Sequence, residues 1–88
     1  MANIKSAQKR ARQNPKRRDR NRLLRARARN AVKNARSLIE NGDDGAREAV
    51  VQAESFLDKA ASKGAIHQNN ASRRKGRLHA ALHKATAA

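Results

Sequence analysis

Apolar positions in this chain recur at three- and four-residue intervals and nowhere alternate with polar ones over a strand's length, so the pattern is helical throughout. In the first stretch Leu24, Ala28, Ala31, Ala35 and Leu38 step by 4, 3, 4 and 3, with Val32 and Ile39 beside them. In the second, Ala46, Ala49, Val50, Ala53, Phe56, Leu57, Ala60 and Ala61 draw the fullest apolar stripe of the molecule. In the third, Ile66, Ala71, Leu78, Ala81, Leu82 and Ala85 are the inward-facing set. Two glycine-containing breaks separate the stretches, Asn41-Gly42-Asp43-Asp44-Gly45 and Ser62-Lys63-Gly64-Ala65. The pattern predicts an all-α fold, a three-helix bundle with helices over about 15–41, 44–63 and 67–86.

Local signals set the expected boundaries. Asn14-Pro15 reads as an N-cap followed by proline at the first helical position, which starts the first helix there. Asp43 or Asp44 is the expected cap of the second helix, with Glu48 early enough to favour its dipole, and Gly64 is its stop. Gly76, inside the third helix, is expected to weaken it by about 1 kcal/mol relative to alanine. Residues 1–14 carry Lys5, Lys9, Arg10 and Arg12 with only Ile4 as a sizeable apolar residue beyond Met1. They cannot bury enough surface to order themselves, so the expectation is a flexible basic N-terminal arm, disordered in the free protein.

Composition sharpens the picture. At 88 residues the chain has room for one small domain. Leu, Ile, Val and Phe number only thirteen, but nineteen alanines allow helices that bury little, so the core should be thin. No run of apolar residues exceeds three, which predicts neither a membrane span nor a signal peptide and puts the protein inside the cell. The absence of cysteine excludes disulfides, thiolate metal sites and a cysteine nucleophile.

The net charge of +15 is laid out unevenly. Residues 1–40 hold fourteen bases against two acids, 41–62 hold two against five, and 63–88 hold six against none. On the first helix Arg18, Arg22, Arg25, Arg29, Lys33 and Arg36 step by 4, 3, 4, 4 and 3, a cationic stripe about one residue, roughly 100°, around from the apolar one. A charged stripe alone can be a solvated face. Six like charges with almost no acid at i+3 or i+4 repel one another, however, and call for an external anion. Phosphate fits, because arginine offers it a bidentate fork and fourteen of the twenty-two cations are arginine. One Phe and no Trp or Tyr leave no platform for stacking bases, so recognition is expected to rest on backbone geometry and shape. Gln68, Asn69, Asn70 and Ser72 at the start of the third helix either contact nucleic acid or cap the helix.

Nothing in the chain supplies chemistry. His79 and His83 stand four apart on one helix face, but no third ligand lies at metal-site spacing, and His67 is expected to serve as a cap or phosphate contact. Five of the seven carboxylates sit on or before the second helix in a solvent-facing pattern, and no phosphate-binding glycine motif is present. The expectation is a protein that is not an enzyme and uses no metal, cofactor or small-molecule substrate.

Two segments carry a resemblance. The opening Met1-Ala2-Asn3-Ile4-Lys5-Ser6-Ala7-Gln8-Lys9-Arg10 and the stretch from Lys63-Gly64-Ala65-Ile66-His67 through Arg73-Arg74-Lys75-Gly76-Arg77-Leu78 closely resemble the bacterial small-subunit ribosomal protein family numbered twenty. The likeness extends over the whole chain in length, helix count and acidic middle. It implies a bundle with a long first helix, bound directly to small-subunit ribosomal RNA through basic helix faces and stabilising its fold during assembly, in the cytoplasm as part of the assembled small ribosomal subunit. By that likeness Lys5, Ser6, Lys9 and Arg10 of the arm lie in RNA and Arg17, Arg18, Arg22, Arg25 and Arg29 line it. Lys63, His67, Asn69, Arg73, Lys75 and Arg77 match further positions suited to RNA contact. Gln68 stands where such sequences often place lysine, Gly76 where they often place serine, and Pro15 is unusual within the first helix. The alternative reading is an architectural DNA-binding nucleoid protein, for which Ala/Lys/Arg-rich helices are also suited. A cationic membrane-active helix is disfavoured by the alanine-rich apolar face and the acidic second helix.

Overall fold

The computed structural model describes residues 2–86 and contains three helices: α1 (Ala2–Glu40), α2 (Ala46–Ser62) and α3 (Gln68–Thr86). Among the described residues there is no strand. The three pack as an all-α bundle, α2 and α3 folding back along the C-terminal half of α1.

The core forms three small clusters along α1. Leu24 meets Ala60 and Ala65 at one end, Ala28 meets Leu57 and Ala71 in the middle, and Ala35 and Ile39 meet Ala46, Ala49, Val50, Ala53 and Leu78 at the other end. The largest fully buried side chains are Leu57, Leu78 and Val50, each worth roughly 1.5–3 kcal/mol of burial. Eight of the thirteen buried residues are alanine, which makes the seams close but poor in apolar area. The α1 and α2 stripes read from the sequence are the ones that face inward. Ala85, placed inward on the same grounds, is exposed, lining an open cleft with Ile39, Ala46 and Leu82.

Both interhelical turns close on glycine. Gly42 (φ 67°) follows Asn41, with Gly42 N–H bonded to Ile39 O at 3.1 Å and Asp43 N–H to Leu38 O at 3.0 Å. Gly64 (φ 76°) repeats the arrangement, its N–H on Ala61 O at 3.0 Å and that of Ala65 on Ala60 O at 2.8 Å. This paired bonding satisfies the last carbonyls of a helix and needs a left-handed residue, which glycine supplies without steric cost. At the second turn Ala65 also packs on Ala60, so the cap and the core are one feature.

The first two helix starts differ from the expectation, and the third agrees with it. The first helix runs unbroken through Asn14-Pro15, with Pro15 inside it, so Asn14 does not cap a start there. Proline in a helix interior costs about 3 kcal/mol, but the flanking Ala, Arg, Lys and Gln are strong helix formers that extend the helix on both sides. The second helix begins at Ala46 with Gly45 as its N-cap and no side-chain cap; Asp43 Oδ1 instead accepts from Gly45 N–H at 2.8 Å, forming a turn just ahead of it. The third begins at Gln68, and the residue that caps it is His67.

Residues 4–20 of α1 are exposed apart from a partly covered Gln13. A 39-residue helix spans about 58 Å at 1.5 Å per residue, and the molecule measures 67 × 18 × 13 Å. About half of α1 therefore projects beyond the bundle. No helix among the described residues is long and apolar enough to cross a membrane.

Candidate nucleic-acid interface

The continuity of α1 turns its sequence into three faces. Leu24, Ala28, Ala35 and Ile39 occupy the buried one. Arg18, Arg22, Arg25, Arg29, Lys33 and Arg36 form a row beside it, exposed over most of its length, as their spacing requires. Lys5, Lys9, Arg12, Lys16 and Arg20 step by 4, 3, 4 and 4 and draw a second exposed row, roughly 140° around the helix from the first. Reading the chain as an arm up to residue 14 hides this second row, because it crosses Pro15; Arg12, Lys16 and Arg20 are the cations of the row that such a reading leaves unassigned. Their spacing was the available signal.

Among the described residues no ion pair involves any cation of α1. Arg20 is the one that turns back on the protein, donating from Nη2 to Lys63 O at 3.3 Å and to Asn21 Oδ1 at 3.4 Å. It sets a positive charge at the C-terminal end of α2, where the helix dipole favours one. Lys5, Ser6, Lys9, Arg10, Arg17, Arg18, Arg22, Arg25 and Arg29 are all exposed on α1. Arg17 lies on the same side as the core stripe but beyond the bundle, so it faces solvent.

Lys63, in the turn before α3, and Asn69, Arg73 and Arg77, on α3, are exposed. His67 has a structural role, since its Nδ1 accepts from Asn69 N–H at 3.1 Å while its carbonyl accepts from Asn70 and Ala71 at 3.0 and 3.1 Å. Accepting at Nδ1 requires that nitrogen to be unprotonated, which leaves an Nε2–H as a donor on an exposed ring. Because the imidazole satisfies the helix start, the amides of Gln68 and Asn69 are left exposed beside it.

Lys75 is placed differently from the other cations. Its Nζ lies 2.7 Å from Asp58 Oδ1, on α2. That hydrogen bond raises the lysine pKa above its ordinary value, desolvation opposes the rise, and the charges of Asp58 and Glu54 add to it. One turn along, His79 Nε2 contacts Glu54 Oε1. The acids of α2 are thus not uniformly turned to solvent; two of them hold α3. Among the described residues no group of three or more His, Cys, Asp or Glu side chains forms a metal-binding cluster.

The protein therefore presents two cationic rows on one long helix, a polar and cationic patch at the start of α3, and an acidic helix that offsets charge on the far side of the bundle. The model of the family described as ribosomal protein S20 matches residues 2–83. Small ribosomal subunit protein bS20 of Legionella pneumophila (strain Corby) is 54% identical over 89 aligned positions, covering 100% of both chains. The bS20 protein of Roseiflexus sp. (strain RS-1) is 52% identical, covering 100% of this chain and 97% of its own length, and that of Mycobacterium sp. (strain JLS) is 48% identical, covering 96% and 99%. With likeness of this degree running from end to end, the chain belongs to the ribosomal protein S20 family.

Proposed function

We propose that this protein is a structural component of the small ribosomal subunit, located on the cytoplasmic ribosome, and that it binds small-subunit ribosomal RNA directly. The observation that carries the proposal is that α1 bears one row of cations on its projecting half, Lys5 to Arg20, and another along its bundled half, Arg18 to Arg36, none of them ion-paired among the described residues. A helix so charged is held together against its own repulsion when phosphates lie alongside it. Its two rows suit a position between RNA segments, each row neutralising one backbone. The contacts proposed for α1 are Lys5, Ser6, Lys9, Arg10, Arg17, Arg18, Arg22, Arg25 and Arg29, joined by Arg12 and Lys16. Around the start of α3 they are Lys63, His67, Asn69, Arg73 and Arg77. The role is stabilisation of folded RNA, with no reaction catalysed.

The test is binding to small-subunit ribosomal RNA against duplex DNA of equal length, titrated with salt. Phosphate binding without selectivity weakens by orders of magnitude as salt rises. Survival of the ribosomal RNA complex alone at physiological salt supports the proposal. Parallel decline of both complexes sinks it in favour of an architectural DNA-binding protein.

A further inference from the structure

The Lys75–Asp58 ion pair and the His79–Glu54 contact both join α2 to α3, and they form a ladder. Glu54 and Asp58 stand four apart on α2, and Lys75 and His79 stand four apart on α3. Their pairing, Asp58 with Lys75 and Glu54 with His79, runs in opposite directions along the two helices, so both rungs share one antiparallel register. Glu54 Oε1 is buried against the imidazole and has no hydrogen-bond partner among the described residues.

The apolar seam is short. The residues α3 buries are Ala71, clustered with Leu57, and Leu78, clustered with Val50 and Ala53, and the rest of the α2 face toward the core is the small side chains of Ala46, Ala49 and Ala60. The ladder repeats every four residues, but of the three registers one turn apart only the observed one pairs Lys75 and both carboxylates. Slipping α3 one way sets Lys75 opposite Glu54 but leaves Asp58 opposite Ala71 and His79 opposite Val50; slipping it the other way sets Asp58 and Glu54 opposite His79 and His83 and leaves Lys75 opposite Ser62. As energy the rungs are small, since the Lys75 and Asp58 side chains retain 31% and 60% of their exposure.

We infer that α2 acts as the registry element of the RNA-binding surface: its two carboxylates fix the rotation and register of α3, and so the position of Arg73 and Arg77 relative to the cations of α1. Lys75 is a positioning residue that acts through Asp58, not a phosphate contact. This inference rests on the reading that the protein binds ribosomal RNA. The sign of one effect separates it from simple charge. Replacing Glu54→Gln together with Asp58→Asn raises the net charge by two, and a surface that works by summed charge then binds RNA more tightly. A surface that depends on register binds more weakly, about fivefold if one molecule in five keeps the register, because apparent affinity falls with the competent fraction.

The experiment measures small-subunit ribosomal RNA binding by the full chain across a salt series, with far-ultraviolet circular dichroism to confirm that each variant is helical. The double variant E54Q/D58N is expected to bind more weakly than wild type. Lys75→Met is expected to weaken binding without changing the slope of log affinity against log salt. The exchanged pair Asp58→Lys with Lys75→Asp, which keeps both the rung and the net charge, is expected to recover binding toward wild type. Unchanged or tighter binding by E54Q/D58N overturns the inference, as does a slope reduced by about 0.7–0.9 in Lys75→Met, the signature of one lost phosphate contact. Amide hydrogen exchange in α3 supplies a readout that needs no RNA. It is expected to quicken in E54Q/D58N, and unchanged exchange overturns the ladder even where wild-type binding to ribosomal RNA is confirmed. Wild type binding duplex DNA as well as ribosomal RNA, with α3 exchange quickened as expected, instead rejects the functional reading and leaves the ladder standing.

Discussion

Single residues in this protein hold the ends of helices as much as their interiors. His67 is a histidine in a place usually given to serine, threonine or aspartate, and its capping bond to Asn69 is an ordinary N-cap in geometry. His67→Ala is expected to lower stability by about 1 kcal/mol, the usual value of a lost cap, measurable as a fall in the thermal midpoint. At Gly64, where φ is 76°, any side chain meets the left-handed penalty even though open space surrounds the site. Lys75 carries a pH signature: because its pKa is raised in the folded state, its contribution is complete below the unfolded value and is lost as pH climbs through the folded one. A stability profile against pH should thus decline on the alkaline side, and Lys75→Met should flatten that decline. The glycine stop of α2 was readable from the sequence because the reason for it is local. The cap at His67 was only half readable, since a histidine at a helix start serves a cap or a ligand equally well until its Nδ1 has a partner.

At the level of elements, α1 is two helices in one. Its C-terminal half is fastened by Leu24, Ala28, Ala35 and Ile39, while residues 4–12 bury nothing. An isolated charged helix of that length is marginal in water, and Pro15 removes one of its internal hydrogen bonds. We propose that the arm is disordered in the free protein and takes up the helix when phosphates relieve its charge. Amide exchange of residues 2–14 is expected to be fast in the free protein and protected in the RNA complex; protection without RNA removes the coupling. Deleting residues 1–14 is expected to leave the thermal midpoint of the bundle nearly unchanged while weakening RNA binding and flattening its salt dependence. Pro15→Ala, relieving a penalty of about 3 kcal/mol, is expected to raise the helix content of the free protein without shifting the midpoint. The extent of α1 before Pro15 is not readable from Asn14-Pro15 alone, because proline at a first helical position and proline inside a helix leave the same local trace. What separates them is whether the preceding segment is itself a good helix former, and residues 2–13 are.

As a whole molecule the protein is an extended rod with a small bundle at one end. Its Cα radius of gyration is 17.4 Å, against the roughly 12 Å of a compact domain this size. Such a shape gives up core for surface, and outside residues 41–62 the charged side chains are twenty cations against two acids. The Arg22→Gln, Arg25→Gln, Arg29→Gln variant is expected to lose RNA affinity and about two to three in salt slope, at roughly 0.7–0.9 per phosphate contact, with the bundle's thermal midpoint held or raised by the relief of repulsion. Unfolding of the free variant would mean that these arginines pack instead of bind.

Helix count, the apolar faces of α1 and α2, the glycine stops and the division of charge among segments were all legible in the chain alone. Each depends on neighbours three or four positions away, and such neighbours are fixed by helical geometry. Which charges are free and which are answered is a property of the folded bundle. That Lys75 meets Asp58 seventeen residues away, and that Arg20 reaches Lys63 O across forty-three, depends on how α2 and α3 fold back along α1. Side chains that are equivalent along the chain are thereby separated in space, some left facing solvent and others held against an opposing carboxylate or carbonyl.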